Sequence, residues 1–249
     1  MHKLLSKRLG FLSVVVFLVG AVTAGAAFSM KLIRRGKPAV ALTMVSKRTT
    51  TLGNGGAPFV SARIVRHQKS DGAWQETITY FGPDGSVADE STAFGQPGRG
   101  VFQDDGKDGT LKFISSMPAR PSDIPVYDMR KDPNFVRAEK VLGWETEVLR
   151  FVDEVDSSSF TEVYYAPALQ GLAIKDVSSA GRMTEVTEPV QILIGEPPES
   201  TFNAARDLPV SYDRFKEQID ALEAAGRREA AAAMREELKR RQQQQPGRP

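Results

Sequence analysis

The sequence predicts an α+β protein, mainly β, in which a curved antiparallel sheet is followed by a long C-terminal helix. Three observations predict this class. β-rich runs recur roughly every 8 to 14 residues with turn signals between them. No convincing helical period falls among those runs, and one begins only after Pro209. The expected parts are an N-terminal apolar leader helix at residues 1–26, a β domain at 39–203, a C-terminal helix at 209–243 and a disordered tail at 244–249.

The predicted β domain begins with two β-rich runs at 59–67 and 74–82, joined across an Asp-Gly dipeptide that favours a hairpin. A more regular meander follows, with predicted strands at 135–143, 144–152, 160–166, 172–177 and 183–196. Pro189 falls within the last of these strands and has no N–H to donate, so we expect a sheet edge or a bulge there. The short turns between consecutive strands predict antiparallel pairing rather than βαβ units.

The C-terminal segment changes to a helical pattern. Ser211 is placed to cap the helix. The first turns carry an apolar stripe at Phe215, Ile219 and Leu222. After Gly226 this stripe shrinks to alanines plus Met234 and Leu238, so we expect the start of the helix to pack on the sheet and its end to extend into solvent. A partner-binding coiled coil is the alternative interpretation.

The N-terminal leader has the pattern of an export signal. Three basic residues precede an apolar run at 11–22 and small residues at 24–26, which allow cleavage before Ala27. The alternative is a retained membrane anchor, because residues 9–30 carry no charge and are long enough to span a ~30 Å hydrocarbon core. Both interpretations predict export across the cytoplasmic membrane: the protein is periplasmic or secreted, or it is tethered with membrane contact through 9–30.

Charge and composition exclude several classes of function. The formal net charge is +2, and the leader contributes three positive charges, so the rest of the chain carries 2 − 3 = −1. Nucleic-acid binding is not expected, because it needs a basic face. The chain has no cysteine, which excludes disulfides, thiolate metal sites and cysteine nucleophiles.

Two sequence features suggest catalysis or metal binding at first sight. His67 is the one histidine outside the leader, and no nucleophile motif accompanies it, so we interpret it as a polar residue at a strand end. The segment 104–110 resembles a calcium loop, but Gly106 and Ser115 stand where two defining ligands belong, and a hairpin turn explains the same residues. No metal site is predicted.

Two further features have equally ordinary explanations. The glycine-rich segment 95–100 is not followed by a helix, as a phosphate-binding loop would be, and is expected to be a loop. Glu145 and Glu147 share a strand face, which is conceivable for a glycosidase pair, although acids on the solvent face of an antiparallel strand are common. We therefore predict no catalytic residue and no cofactor, and do not expect an enzyme.

The later strands carry a family resemblance. The sequence VLGWETEVLRF, then TEVYYAPALQGLAIK, then VQILIGEPPESTF resembles the bacterial exported half-barrel proteins of the outer-membrane lipoprotein carrier superfamily. The resemblance covers residues 135–203 and implies a half-barrel-like sheet with a concave face. The charged C-terminal helix and the proline-rich middle depart from the carriers, so no binding residue is carried over.

Two functions follow as hypotheses. In the first, the protein is a non-catalytic cell-envelope binding protein whose concave sheet face holds an apolar small molecule or lipid, with Trp144, Val148 and Leu172 as candidate ligand contacts. In the second, it is a membrane-tethered interaction or scaffold protein that engages an envelope protein through the C-terminal helix.

Overall fold

Twelve strands and two α-helices make up the described chain. The structure is a computed structural model that describes residues 39–53, 56–104, 109–117, 128–153, 156–202 and 208–244. The leader lies outside the described residues, as does the predicted tail apart from Gln244. The strands are β1 (Leu42–Leu52), β2 (Phe59–Gln68), β3 (Trp74–Phe81), β4 (Val87–Gln96), β5 (Gly100–Asp104), β6 (Leu111–Ser115), β7 (Phe135–Val141), β8 (Trp144–Val152), β9 (Phe160–Ala166), β10 (Leu172–Ala180), β11 (Met183–Ile194) and β12 (Val210–Ser211). The helices are α1 (Asp213–Ala224) and α2 (Arg228–Gln244).

All twelve strands belong to one curved sheet that does not close. Strands β1 to β6 form one antiparallel meander and β7 to β11 form a second. The two meanders join where β1 pairs with β11, and β12 adds to β6 in parallel. The predicted fold class, a mainly β protein with an antiparallel sheet and a helical C-terminus, is therefore confirmed. No helix in these ranges is long and apolar enough to cross a membrane.

The central strand β1 defines the inner face of the sheet. Alternate residues of this strand are buried, as expected for side chains that point to opposite faces. The buried set is Leu42, Met44, Ser46, Arg48 and Thr50. We call the face that carries these residues the inner face. One half of it is apolar and the other half is polar.

The bulge expected at Pro189 is present. Val45 pairs with Gln191, but Ser46 pairs with Pro189, so Val190 is an extra residue in β11. A bulge of this kind accommodates proline because the ladder is interrupted there. It also bends the strand at the junction between the two meanders.

Two apolar clusters form the core. The first apolar cluster lies around the junction of the meanders and consists of Leu42, Met44, Val141, Val148, Tyr164, Ala166, Leu169 and Ile174. The second apolar cluster joins β4, β5 and β6 to the helices and consists of Phe94, Phe102, Leu111, Phe113, Phe215, Ile219 and Ala231. Phe113 has no exposed surface, and its ring centroid lies 5.0 Å from that of Phe215.

The predicted C-terminal helix is present, but Gly226 divides it into α1 and α2. Gly226 has φ +73°, a backbone conformation that glycine adopts without a steric cost, and α2 then packs beside α1. The expectation that the end of the helix extends into solvent is wrong. Met234 and Leu238 pack against the second apolar cluster, and the guanidinium of Arg241 lies 4.7 Å from the centroid of the Phe113 ring.

Candidate functional site

A cavity of about 280 Å³ lies at one corner of the sheet. Strands β3 and β4, the turns that follow β2 and β4, and a 3₁₀-helix at Glu199–Phe202 surround it. Three aromatic residues, Trp74, Phe94 and Phe202, are among those that line it, but the Phe94 side chain is 3% exposed and packs in the second apolar cluster. The aromatic surface of the cavity is therefore mainly that of Trp74 and Phe202.

Gly95 allows the Trp74 indole to occupy its position. The two residues are partners across β3 and β4. A Cβ atom at residue 95 would lie 2.2 Å from Nε1 and 2.6 Å from Cε2 of Trp74, much closer than carbon atoms approach such groups. On β2, the guanidinium of Arg66 lies 4.6 Å from the centroid of the Trp74 ring, a favourable cation–π distance. Gly95 thus leaves the space that the indole occupies, and Arg66 contacts the indole ring.

Ionic contacts fix the 3₁₀-helix beside the cavity. Nζ of Lys69 donates to Oε2 of Glu199 at 2.6 Å and lies 5.4 Å from the centroid of the Phe202 ring. The hydrogen bond to Glu199 raises the pKa of Lys69. The backbone N–H of Ser70 donates to Glu196 at 3.1 Å. The Lys69 ammonium is therefore paired with Glu199 and also contacts the ring of Phe202.

The three residues predicted to contact a ligand lie together, but not at this cavity. Val148 belongs to the first apolar cluster, and Trp144 and Leu172 pack against it. Val148 has no exposed surface, while Trp144 and Leu172 are half-buried. In this arrangement only Trp144 and Leu172 present surface to a ligand. The sequence analysis did not identify Trp74 and Phe94 as site residues. The pairing of Trp74 with Gly95 across two strands cannot be read from the residues next to either of them.

The residues considered for catalysis have ordinary partners. Nδ1 of His67 lies 3.0 Å from Oγ1 of Thr43, and burial lowers the pKa of His67. Glu145 pairs with Lys140, and Glu147 accepts from Nε of Arg130 at 2.7 Å.

The structure describes the whole glycine-rich segment 95–100 but only part of the calcium-loop segment 104–110. Residues 105–108 of the calcium-loop segment lie outside the described residues. In the glycine-rich segment, Gly95 and Gln96 end β4 and Gly100 begins β5, so it joins two strands. Within the part of the chain that the structure describes, no group of three or more His, Cys, Asp or Glu side chains could hold a metal ion.

Comparison with known proteins gives similarity to solved structures only. No family model matches the chain, and no curated protein matches it. An uncharacterised conserved protein from Thermus thermophilus is 10% identical, with 70% of this chain and 91% of that chain covered and a TM-score of 0.39. A LolA superfamily protein from Nitrosomonas europaea is 10% identical, with 69% and 93% covered and a TM-score of 0.32.

A third similar structure is the MucA/MucB complex of Pseudomonas aeruginosa. It is 17% identical, with 69% of this chain and 58% of that chain covered and a TM-score of 0.37, so the present chain spans less than two thirds of it. A LolA superfamily protein and a lipoprotein-sorting domain are among the solved structures to which this chain is similar. Similarity at this level concerns the fold, and no residue role is taken from it.

Proposed function

We propose that the protein is a non-catalytic binding protein of the cell envelope that holds an apolar group in the cavity beside Trp74, Phe94 and Phe202. The observation that carries this proposal is the aromatic wall of that cavity. Ligand sites are typically concave and mostly apolar, with a few polar groups that fix orientation. Asp71, Gln75, Gln96 and Arg99 are polar residues among those that line the cavity.

The size of the cavity limits what it holds. Ligand pockets typically measure about 300 to 1,000 Å³, and this cavity of about 280 Å³ falls just below that range. It is large enough for part of an acyl chain or for one apolar side chain of a partner protein. Both sources present the same chemistry, an uncharged apolar group, and the test below distinguishes them.

The ligand site predicted from the sequence, on the first apolar cluster, is less favourable than this cavity. A ligand that contacted Trp144, Val148 and Leu172 would have to displace neighbouring side chains, because Val148 is fully buried. Opening a packed core forfeits the contacts of every residue that lines the gap. The cavity beside Trp74 needs no such rearrangement.

Fluorescence of Trp74 provides the test. The chain has two tryptophans, so Trp144→Phe leaves Trp74 as the single reporter. The protein is titrated with monomeric dihexanoyl phosphatidylcholine and, separately, with an acetylated hydrophobic tripeptide. We expect a saturable change with one probe, and that probe identifies the source of the apolar group.

A cavity-filling variant completes this experiment. Ala73 lines the cavity, so Ala73→Phe should weaken binding of the probe by about tenfold or more by occupying the space. Ala168 is exposed in the 3₁₀-helix Pro167–Leu169, away from the cavity lining, and Ala168→Phe is the matched control that should bind normally. The proposal is wrong if neither probe saturates, or if the Ala73 variant binds as tightly as the control.

The alternative function, a tethered scaffold that binds an envelope partner through the C-terminal helix, has less support. The apolar residues of α1 and α2 pack on the sheet, so a partner would have to bind the charged outer surface of α2. Deletion of residues 211–249 would not test it cleanly, because it would also uncover Phe113. Charge reversal at Lys239, which is exposed and paired with Glu236, leaves the packing intact and is the better variant.

A further inference from the structure

Arg48 occupies an unusual position on the inner face of the sheet. Its side chain extends from the central strand β1, and the residue is 9% exposed. Nε donates to Oγ1 of Thr187 on β11 at 3.2 Å. Across the described ranges, no hydrogen bond and no ion pair within 4 Å involves its two Nη groups. In the same part of the chain, the buried side-chain atom that lacks a partner is Nε of Arg66, so the Nη groups of Arg48 keep some contact with solvent. A guanidinium in such a position can still accept an anion as its partner.

Hydroxyl groups surround this guanidinium. Ser46 and Thr50 flank it on β1 and are almost fully buried, and Thr187 faces it from β11. Oγ1 of Thr50 donates to Oγ of Ser61 at 2.7 Å. Tyr80, in the same cross-strand row, is half-buried. The result is a charged donor with slight solvent contact among buried hydroxyl groups.

We propose that this polar part of the inner face binds an oxyanion, such as a sulfate, phosphate or carboxylate group, through the two Nη groups of Arg48. The planar guanidinium presents parallel N–H groups that match two oxygens of such an anion. The binding site lies on β1 and β11, away from the cavity beside Trp74, and does not depend on the function proposed for that cavity.

Carboxylates near Arg48 make this site sensitive to pH. Asp176 on β10 pairs across the sheet with Thr187 and hydrogen-bonds to it. The pKa of Asp176 is raised to about 6, mainly by burial. The charge of Arg48 and the hydrogen bond from Thr187 lower this pKa, whereas the charges of Glu185 and Glu76 raise it. Of these two acids, Glu76 is paired with Arg66 at 3.4 Å, and Glu185 accepts from Thr50 at 3.2 Å.

The sign of the pH effect follows from these charges. Above pH 6 the ionised Asp176 repels an incoming anion, and below pH 6 it is neutral and leaves Arg48 less compensated. Anion binding should therefore tighten as the pH falls through about 6, and by linkage the bound anion should raise the pKa of Asp176. If only the protonated form binds, roughly 1% of the protein is competent at pH 8, and the affinity there is about 100-fold weaker than the maximum.

Sulfate is a suitable probe because it keeps its charge across this range. We would measure its binding to the purified protein by calorimetry at about pH 5 and about pH 8, with chloride at equal ionic strength as the reference. Arg48→Gln should abolish binding, and Arg63→Gln, which removes an exposed arginine on the adjacent strand β2, should not change it. Asp176→Asn should bind sulfate at about pH 8 as the natural protein does at about pH 5.

The outcomes separate the proposal from its alternatives. Sulfate binding that survives Arg48→Gln, or a pH dependence that survives Asp176→Asn, would overturn it. The asparagine variant is isosteric, so it decides the question even if the Arg48 variant does not fold. Ala73→Phe should leave sulfate binding unchanged, which makes failure at the cavity distinguishable from failure here.

A second arm identifies the source of the anion. Octyl sulfate, used below its micelle concentration, carries the same head group on an apolar chain. Tighter binding of octyl sulfate than of sulfate, lost in Arg48→Gln, assigns the site to the head group of an amphipathic ligand. Equal binding of the two probes assigns it to a free anion.

Discussion

At the scale of single residues, one ionic network stabilises the second meander. Arg137 on β7 reaches past β8 to Glu162 on β9, with Nη1 and Nη2 donating to its two oxygens at 3.0 and 2.8 Å. Nη2 also donates to Oη of Tyr164 at 2.8 Å. Glu162 is 8% exposed, so solvent does little to replace these bonds. The network therefore links the edge strand to a strand that it does not pair with.

Removing the charge of Glu162 should destabilise the protein. We expect Glu162→Gln to lower the free energy of unfolding at neutral pH by about 2 kcal/mol, because charge-assisted bonds to a buried group are lost. Glu145→Gln is the matched control on the adjacent strand β8: its carboxylate pairs with Lys140, both are mostly exposed, and the effect should stay below about 0.5 kcal/mol. Urea unfolding measures both, and equal effects would contradict the assignment.

The pH dependence of this effect has a defined sign. The hydrogen bond from Arg137 lowers the pKa of Glu162, so its contribution to stability is complete above the unfolded value of about 4.3. It is lost as the pH falls through the lowered folded value. The difference between natural protein and Glu162→Gln should therefore shrink in acid; a difference that persisted there would indicate a packing effect instead.

At the scale of elements, the helical hairpin depends on small residues. Ala231 on α2 has no exposed surface and lies in the second apolar cluster, while the next residue, Ala232, is exposed. An ion pair between Arg235 and Glu223 at 2.5 Å also links α2 to α1. Within the alanine-rich sequence that suggested a solvated helix end, Ala231 is the buried alanine, and its small side chain lets α2 approach its neighbours closely.

This pair of alanines allows a matched test of the helix packing. Ala231→Leu should cost about 1 to 3 kcal/mol of unfolding free energy, because the larger side chain has no space. Ala232→Leu introduces the same side chain one position along the same helix and should change stability by less than about 0.5 kcal/mol. Thermal unfolding of both variants compares them. Similar values would mean that α2 does not pack as described.

The strands show which elements local sequence predicts. Those of the second meander were found within a few residues, because apolar and β-branched residues alternate between clear turns. Strand β1 was not identified as an element, since the buried residues in its second half are Ser46, Arg48 and Thr50. The start of β4 also lacks alternating apolar residues, because its first four residues are exposed and two of them are acidic. Strand predictions rest on that alternation, which is missing both where the buried face is polar and where both faces are exposed.

At the scale of the whole molecule, the sequence does not indicate how the two meanders join. Pairing of β1 with β11 brings together residues about 140 positions apart, such as Arg48 and Thr187, and no local pattern encodes it. The position of Arg48 beside Thr187 depends on this long-range register, and the cavity beside Trp74 depends on a 3₁₀-helix that lies more than 120 positions further along the chain. Because residues distant in sequence form them, the candidate sites could not be found from local sequence patterns. The sequence did argue against cysteine chemistry and against a zinc site, since the chain has no cysteine and one histidine outside the leader.

The junction should make the two meanders unfold together. Every residue of β1 has a partner in β11, and the first apolar cluster takes Leu42 and Met44 from one meander and Val148, Tyr164 and Ile174 from the other. Separation would expose this cluster and two long strand edges at once. We therefore expect one cooperative unfolding transition.

Native-state hydrogen exchange across a urea series tests this expectation. Backbone amides in β4, from the first meander, and in β9, from the second, should exchange with the same free energy and the same urea dependence as those of β1. Amides of the edge strand β7, which pairs on one side with β8, should exchange by smaller local openings and serve as the internal control. If β4 and β9 instead exchange with different free energies, the meanders are separate folding units and the β1–β11 junction is only a contact between them.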